Sequence, residues 1–429
     1  MEKIHLHSAG IDIGSKSIYI GIDGKPVRSF GTFTSEFYQA VDYLRESGVD
    51  TVAMEATGSY WVILFDILSA AEFDVWLVDG RQTKQVPGRK TDVKDCQWIN
   101  QLHSFGLLNR CYVAEGLVKE LRGYQRLRED HLRSMSMHIN HMQKALIEMN
   151  IRLPEVLSQI HGASGLAMIE AILSGVRDPH QLVSLCHSSL IKNKGGELVK
   201  ALEGFYTPIG LFSLGQALEG YKFYKKQIQS CDAKIEEAFK QYQNELPENL
   251  SKQPRKPIRH NKPDVKGLDK YLLSIFNGKD ATVLSGITDY NWLQIYTETG
   301  ADLSRWPSEK HFTSWLGLSP GQNNSGKKKK NKAKGRPKAG QLFRLTAQSL
   351  LQSKHIALGA FGRRLRSRKG PSIAIKAVAR KLAEQYWRLM VKGKEYVEKG
   401  VEHYIQQLNI QKMRQLQRLA VELDIELLA

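Results

Sequence analysis

The chain reads as an α/β N-terminal domain with a mixed sheet, then a long coiled-coil-like helical middle, then a mostly helical, basic C-terminal domain. Three observations predict this. Over residues 8–105, apolar alternation of period two trades places with helical periodicity. Over residues 115–245, apolar residues recur at spacings of three and four. The whole excess of positive charge then falls in one later segment.

Taken in order, SAGIDIG and SIYIGID are two β-runs joined by a short Gly-Ser-Lys turn, and VRSFGTF is a third. EFYQAVDYLRES carries a helical period and TVAMEA reads as a buried strand. YWVILFDILSAA is again helical, FDVWLVD is a strand, and another helix starts near Thr91. Three successive strands followed by strand–helix alternation require a sheet of mixed direction. Thr91 is a candidate N-cap, with acids in the turn that follows.

Leu132, Met135, Ile139, Met142, Leu146 and Met149 form one apolar stripe. Ala217, Tyr221, Tyr224, Ile228, Cys231, Ile235, Phe239 and Tyr242 form a second. Both suit long helices packed on one another or on a second protomer. PENLSKQPRKPIRHNKPDVK, with four prolines, reads as a linker. VLSGITDYNWLQIYTETG has the pattern of helix, tight Gly-containing turn and helix, as in helix–hairpin–helix modules. LFRLTAQSLLQ and SIAIKAVARKLAEQYWRLMV are the clearest helices of the basic segment, and the last thirty residues or so form an amphipathic tail. The division expected is therefore 1–110, 111–246, a linker at 247–267, 268–390 and a helical tail at 391–429.

Of the 62 Lys and Arg, 19 lie between Lys310 and Ala383, where there is no Asp or Glu. The remaining 43 nearly balance the 44 acids, so this segment supplies the net charge of +18. A single-sign field of that density favours a polyanion, and phosphate neutralisation dominates nucleic-acid affinity. No apolar run approaches the ~18 residues of a membrane span. MEKIHLHSAG lacks the basic-then-apolar layout of a signal peptide. The four cysteines are far apart with no CxxC pair, which speaks against a zinc module or a disulfide framework. A cytoplasmic protein is expected, with no membrane partner.

Four acids are candidates for a metal site. Asp12 in GIDIGS ends the first strand and Glu55 in VAMEATG ends another. Asp92 and Asp95 in KTDVKD stand three apart, on one face of a helix. Carboxylates are hard oxygen ligands suited to Mg²⁺ (or Mn²⁺), and two such ions can activate a nucleophile and stabilise a leaving oxygen in phosphodiester chemistry. Taken singly, each acid is equally a cap or a surface residue, and Asp92 could simply interact with the helix dipole. Actin-like ATPases also open on D-x-G between strands, but the downstream half here is helical and basic, with no second phosphate loop.

Near the other end, WLGLSPGQNNSGKKKKNKAKGRPKAGQLFR places Ser325 in a Gly-flanked loop beside dense positive charge. Such a hydroxyl is set for attack on a phosphodiester, with its alkoxide stabilised by the cations. Lys327, Lys328, Lys329, Lys330, Lys332, Lys334, Arg336 and Arg344 are candidate phosphate contacts, mostly without sequence readout.

Together these motifs resemble the DEDD transposases of bacterial insertion sequences. GIDIGS, AMEATG and KTDVKD match the family's acidic motifs at Asp12, Glu55, Asp92 and Asp95, and FTSWLGLSPGQNNSGK with KAGQLFR matches its C-terminal signature at Ser325. The resemblance implies a RuvC-like, ribonuclease-H-like N-terminal domain and a C-terminal transposase domain. It also implies a recombinase guided by a structured (bridge) RNA of its own element, which pairs with donor and target DNA. The serine would form a phosphoserine–DNA link while the acidic site with Mg²⁺ assists from another protomer. The active form would be a homo-oligomer, dimers joining into a tetrameric synaptic complex, on the nucleoid of a bacterial cytoplasm. Two other readings use the same residues: a metal-dependent endonuclease of the Holliday-junction type, using the acids alone, and a non-enzymatic nucleic-acid scaffold.

Overall fold

The computed structural model describes residues 2–83, 92–242, 256–258, 260–320, 337–393 and 400–422. Thr91, Ser325, the lysines of 327–334 and Arg336 lie outside them. Two compact units are present, Met1–Val113 and Ala114–Ala429.

The first unit holds β1 (Ser8–Ile13), β2 (Ser17–Ile22), β3 (Arg28–Gly31), α1 (Thr34–Glu46), β4 (Thr51–Glu55), α2 (Trp61–Ala70), β5 (Asp74–Val78), α3 (Gly80–Thr83) and α4 (Asp92–Ser104). The strands form one sheet in the order β3-β2-β1-β4-β5. β1–β2 and β2–β3 pair antiparallel, β1–β4 and β4–β5 parallel. The mixed sheet follows from the sequence order: three strands joined by short turns must alternate in direction, whereas β4 and β5 are each reached through a helix.

Alternation along the strands sorts the two faces. Ala9, Ile11, Ile13, Ile18, Ile20, Val52, Met54, Val75 and Leu77 point to one side, where Phe37, Val41 and Leu44 of α1 and Leu64, Phe65 and Leu68 of α2 complete a core. Full burial of each large aliphatic side chain there stabilises by roughly 1.5–3 kcal/mol. The opposite face carries a smaller cluster, Ala53, Val78, Ile99 and Leu108, under α4.

The second unit is helical. α5 (Gly116–Glu148) and α10 (Pro208–Tyr242) pair along their length. They run antiparallel: Leu117 and Leu121 share a cluster with Ile235 and Phe239, while Met142 and Leu146 share another with Leu214 and Ala217. The two predicted stripes therefore meet within one chain, apart from Tyr242, which is exposed. Short helices α6 (Leu153–Val156), α7 (Ala163–Leu173), α8 (Pro179–Ser184) and α9 (Ser188–Leu202) close the far end of the pair. At the near end lie α11 (Leu268–Ile275), α12 (Asp289–Thr299), α13 (Glu309–Trp315), α14 (Lys338–Leu350), α15 (Ala357–Lys369) and α16 (Pro371–Lys392). They pack around Trp292, Phe312, Phe343 and Tyr386. α17 (Gly400–Glu422) is amphipathic but largely exposed.

Polar side chains fasten α5 to the near-end helices. Arg128 is buried, donating Nε to Asp232 at 2.6 Å and one Nη to the Tyr290 hydroxyl at 2.9 Å. Glu129 accepts Lys338 Nζ at 2.8 Å and Gln294 Nε2 at 2.9 Å. Arg126 pairs with both carboxylate oxygens of Glu298.

Two expectations are corrected here. The predicted linker is docked over its described end: Arg128 also donates to the Asn261 carbonyl, the Asp264 amide donates to Asp232, and Val265 enters the core. The buried Arg128–Asp232 pair has hydrogen-bonding capacity left over, and this backbone fills it. The helix–hairpin–helix reading also fails, because no α-helix forms in the segment leading into the turn. Before it stands a single 3-10 turn, Ala281–Val283, capped by Asp280 and ended by extended Leu284. Gly286, at φ +78°, then lies against Thr346 and Leu350, and Thr288 starts α12 with a capping box.

Candidate metal centre and nucleic-acid interface

Asp12 and Glu55 occupy the C-terminal ends of adjacent parallel strands, one residue beyond the paired Ile11 and Met54. Alternation turns both toward the face covered by α4, opposite the main core. Asp92 and Asp95 lie in the first turn of α4, where acids interact favourably with the helix dipole.

What brings α4 to Asp12 is the pair Gly10 and Gly21, partners across the β1–β2 ladder. A Cβ on Gly10 would lie 2.3 Å from the Asn100 amide nitrogen and 2.3 Å from the Cys96 carbonyl oxygen. One on Gly21 would lie 2.9 Å from the Gln97 amide nitrogen. Helix backbone therefore rests directly on strand backbone. Cys96, buried at this contact with its thiol pushed up to about 12 chiefly by burial, is a packing residue.

The result is a cluster in which carboxylate oxygens of Asp12, Asp92 and Asp95 all lie within 4.8 Å of one another. Burial pushes the Asp12 carboxyl up to about 6, and the negative charges of Asp92, Asp95 and Glu55 push the same way. Like charges held this closely fit a divalent cation, and the donor set is the hard oxygen type that Mg²⁺ or Mn²⁺ prefers. Glu55 is outside the three-residue group and is engaged by Thr83, whose hydroxyl donates to it at 2.7 Å. Thr83 in turn offers its carbonyl to Trp98 Nε1 of α4 at 3.0 Å. Thr83 and the two glycines are the residues that sequence reasoning missed. Gly10 stood inside GIDIGS, but nothing in its identity announced a helix above it.

Arg344 is the candidate phosphate contact that lies within the described residues. It is half-buried on α14, and one Nη donates to the Gly317 carbonyl at 3.0 Å. That N–H joins α14 to the end of α13, so Arg344 has a packing task whatever else it contacts. Among the described residues, no helix is long and apolar enough to cross a membrane.

Residues 9–151 match a family model described as transposase, of the DEDD type. Residues 282–359 match a second, described as the transposase IS116/IS110/IS902 family. No curated protein matches the chain. The DEDD match implies a ribonuclease-H-like fold, with which the small mixed sheet agrees. With one transposase model matching over the sheet, the acidic cluster and α5, and another over α12, α13, α14 and the Ser325 segment, the chain belongs to the IS110-type DEDD transposases, enzymes that act on DNA as transposases or recombinases.

Proposed function

We infer that the chain is an RNA-guided recombinase of an insertion sequence, cutting and rejoining DNA with a divalent ion at the acidic cluster and Ser325 as nucleophile. The observation that carries the reading is the convergence of Asp12, Asp92 and Asp95 to within 4.8 Å on the sheet face covered by α4. Asp12, Asp92 and Asp95 would hold Mg²⁺, with Glu55 joining on release from Thr83. When bound, the ion would supply charge neutralisation at a phosphate and a lowered barrier to the loss of its leaving oxygen.

The protein's own part begins with α4. Fixed on the sheet by Gly10 and Gly21, it keeps Asp92 and Asp95 at a constant distance from Asp12, so these three ligands need no assembly when DNA arrives. The Ser325 Oγ attacks a DNA phosphorus and the bond to a deoxyribose oxygen breaks. The phosphodiester energy is kept in a serine–phosphate link until a second strand's hydroxyl displaces it. The lysines of 327–334 and Arg336 contact phosphates. Assembly into a homo-oligomer and guidance by the element's structured RNA belong to the same reading, supported by the family resemblance.

The test incubates protein, element RNA, donor and target DNA and Mg²⁺, and looks for a protein–DNA adduct in wild type and Ser325→Ala. Wild type should give an adduct and recombinants, and Ser325→Ala neither. Recombination by Ser325→Ala at the wild-type level would refute the serine step. Cleavage that needs Asp12 but not Ser325 would favour an endonuclease that uses the acids alone.

A further inference from the structure

We propose that the C-terminal half of α15 is a second phosphate-binding face, separate from the Ser325 segment and used to grip the backbone of a nucleic-acid duplex. The proposal rests on the reading of the chain as a nucleic-acid recombinase and assigns it residues which that reading leaves idle. Arg364, Arg366, Arg368 and Lys369 are all exposed. Among the described residues, none of the four side chains has a hydrogen-bond or ion-pair partner.

Their neighbours behave differently. Arg363, one residue earlier, is half-buried and donates to the Leu351 carbonyl at 3.2 Å. On α16, Arg380 pairs with Glu384 at 2.9 Å and Arg388 with Glu309 at 2.8 Å. These three cations are neutralised or employed, and the four at the end of α15 are not.

Position on the helix sharpens the contrast. Arg364 and Arg368 stand four apart, so they share a face and repel each other. The interaction of Arg366, Arg368 and Lys369 with the C-terminal end of the helix dipole offsets part of that repulsion. It does not account for Arg364, more than a turn from the helix end. At successive helical angles of about 100°, the four cover most of the outward side of the final turns. Guanidinium groups on a rigid rod are suited to phosphate oxygens, which they can bind in a bidentate manner. The proposed contact is to the phosphate backbone and independent of sequence.

The test compares the full-length wild type with a variant carrying Arg364→Gln, Arg366→Gln, Arg368→Gln and Lys369→Gln. Each is titrated with a duplex DNA and, separately, a duplex RNA of arbitrary sequence over a range of salt. If all four residues neutralise phosphates, the slope of log affinity against log salt becomes shallower by about 3.6 for the duplex that uses the face. Loss for DNA alone assigns the face to DNA, and loss for RNA alone assigns it to the guide. Slopes unchanged for both duplexes in a folded variant overturn the proposal. If the fourfold variant loses its circular-dichroism signature, the single change Arg364→Gln takes its place, with an expected change of about 0.9 and the same reading of no change. A wild type that binds steeply but never recombines refutes the proposed function and leaves the face standing. Recombination by wild type, with slopes indifferent to the substitutions, does the reverse.

Discussion

Gly10 of β1 and Gly21 of β2 face one another across the antiparallel ladder and together form the floor on which α4 lies. A methyl group at either position would fall within 3 Å of the helix backbone. The separation of Asp12 from Asp92 and Asp95 is thereby set by two residues with no chemistry of their own.

Gly10→Ala should therefore act on the metal site from a distance. The helix must lift, at a cost of about 1–3 kcal/mol typical of overpacking, and the three carboxylates must part. The expected outcome is a lower melting temperature together with at least tenfold weaker Mn²⁺ binding by calorimetry. A variant that melts and binds Mn²⁺ as wild type does would show that α4 is held by something else.

Asp12→Asn should separate charge from stability. In the cation-free protein it removes one of the repelling carboxylates, so the melting temperature at neutral pH should hold or rise. The stabilisation that Mg²⁺ or Mn²⁺ gives the wild type should vanish in the variant, since ligand-linked stability needs the ligand site. Equal cation-induced shifts in both proteins would place the ion elsewhere.

His103 should make the first unit acid-sensitive. The ring is buried on α4, its Nε2 lies 2.9 Å from the Thr51 hydroxyl, and it stacks on His5 at 4.5 Å. Burial first, and His5 second, lower its pKa from 6.5 to about 4. Between those values the unfolded chain binds a proton that the folded chain refuses. The contribution is complete above pH 6.5 and declines as pH falls toward about 4. Asp12, whose pKa is raised, works in the opposite sense over much of this window. Denaturant midpoints measured for wild type and His103→Gln across the window isolate the histidine. The variant should lose part of the acid-side decline, and an identical decline would remove His103 as its source.

The Arg128–Asp232 pair should tolerate joint removal better than single removal. Asp232→Asn leaves a buried guanidinium uncompensated, which in comparable cases costs about 3–5 kcal/mol. Arg128→Met with Asp232→Leu removes both charges, though Tyr290, Asn261 and Asp264 lose partners. Urea unfolding should show the double variant less destabilised than the sum of its parts. Strict additivity would mean that the two residues do not stabilise each other.

The order of strands and helices in the first unit was legible because each element shows either a helical or strand period or a short apolar run bounded by turn residues. Asp12 and Glu55 were legible as strand-end acids, and Asp92 with Asp95 as a first-turn pair. Glu55 shows where the reading stopped. Its type and position suit a fourth ligand, yet Thr83, twenty-eight residues later, holds its carboxylate. In the second unit, spacings of three and four marked α5 and α10, but the docking of Asn261 and Asp264 depends on an ion pair between residues more than a hundred positions apart. The same limit applies at Gly286, where a 3-10 turn and extended Leu284 stand in place of the expected first helix.

The sequence by itself determined the mixed sheet, the two long helices, the concentration of positive charge between Lys310 and Ala383, and the four acids. These are properties of local period, residue type and count. Only the tertiary structure decided that three of those acids meet, because their meeting depends on backbone–backbone contact at Gly10 and Gly21. A glycine carries no side chain to signal what will be laid against it, and proximity of that kind exists only once the chain has folded.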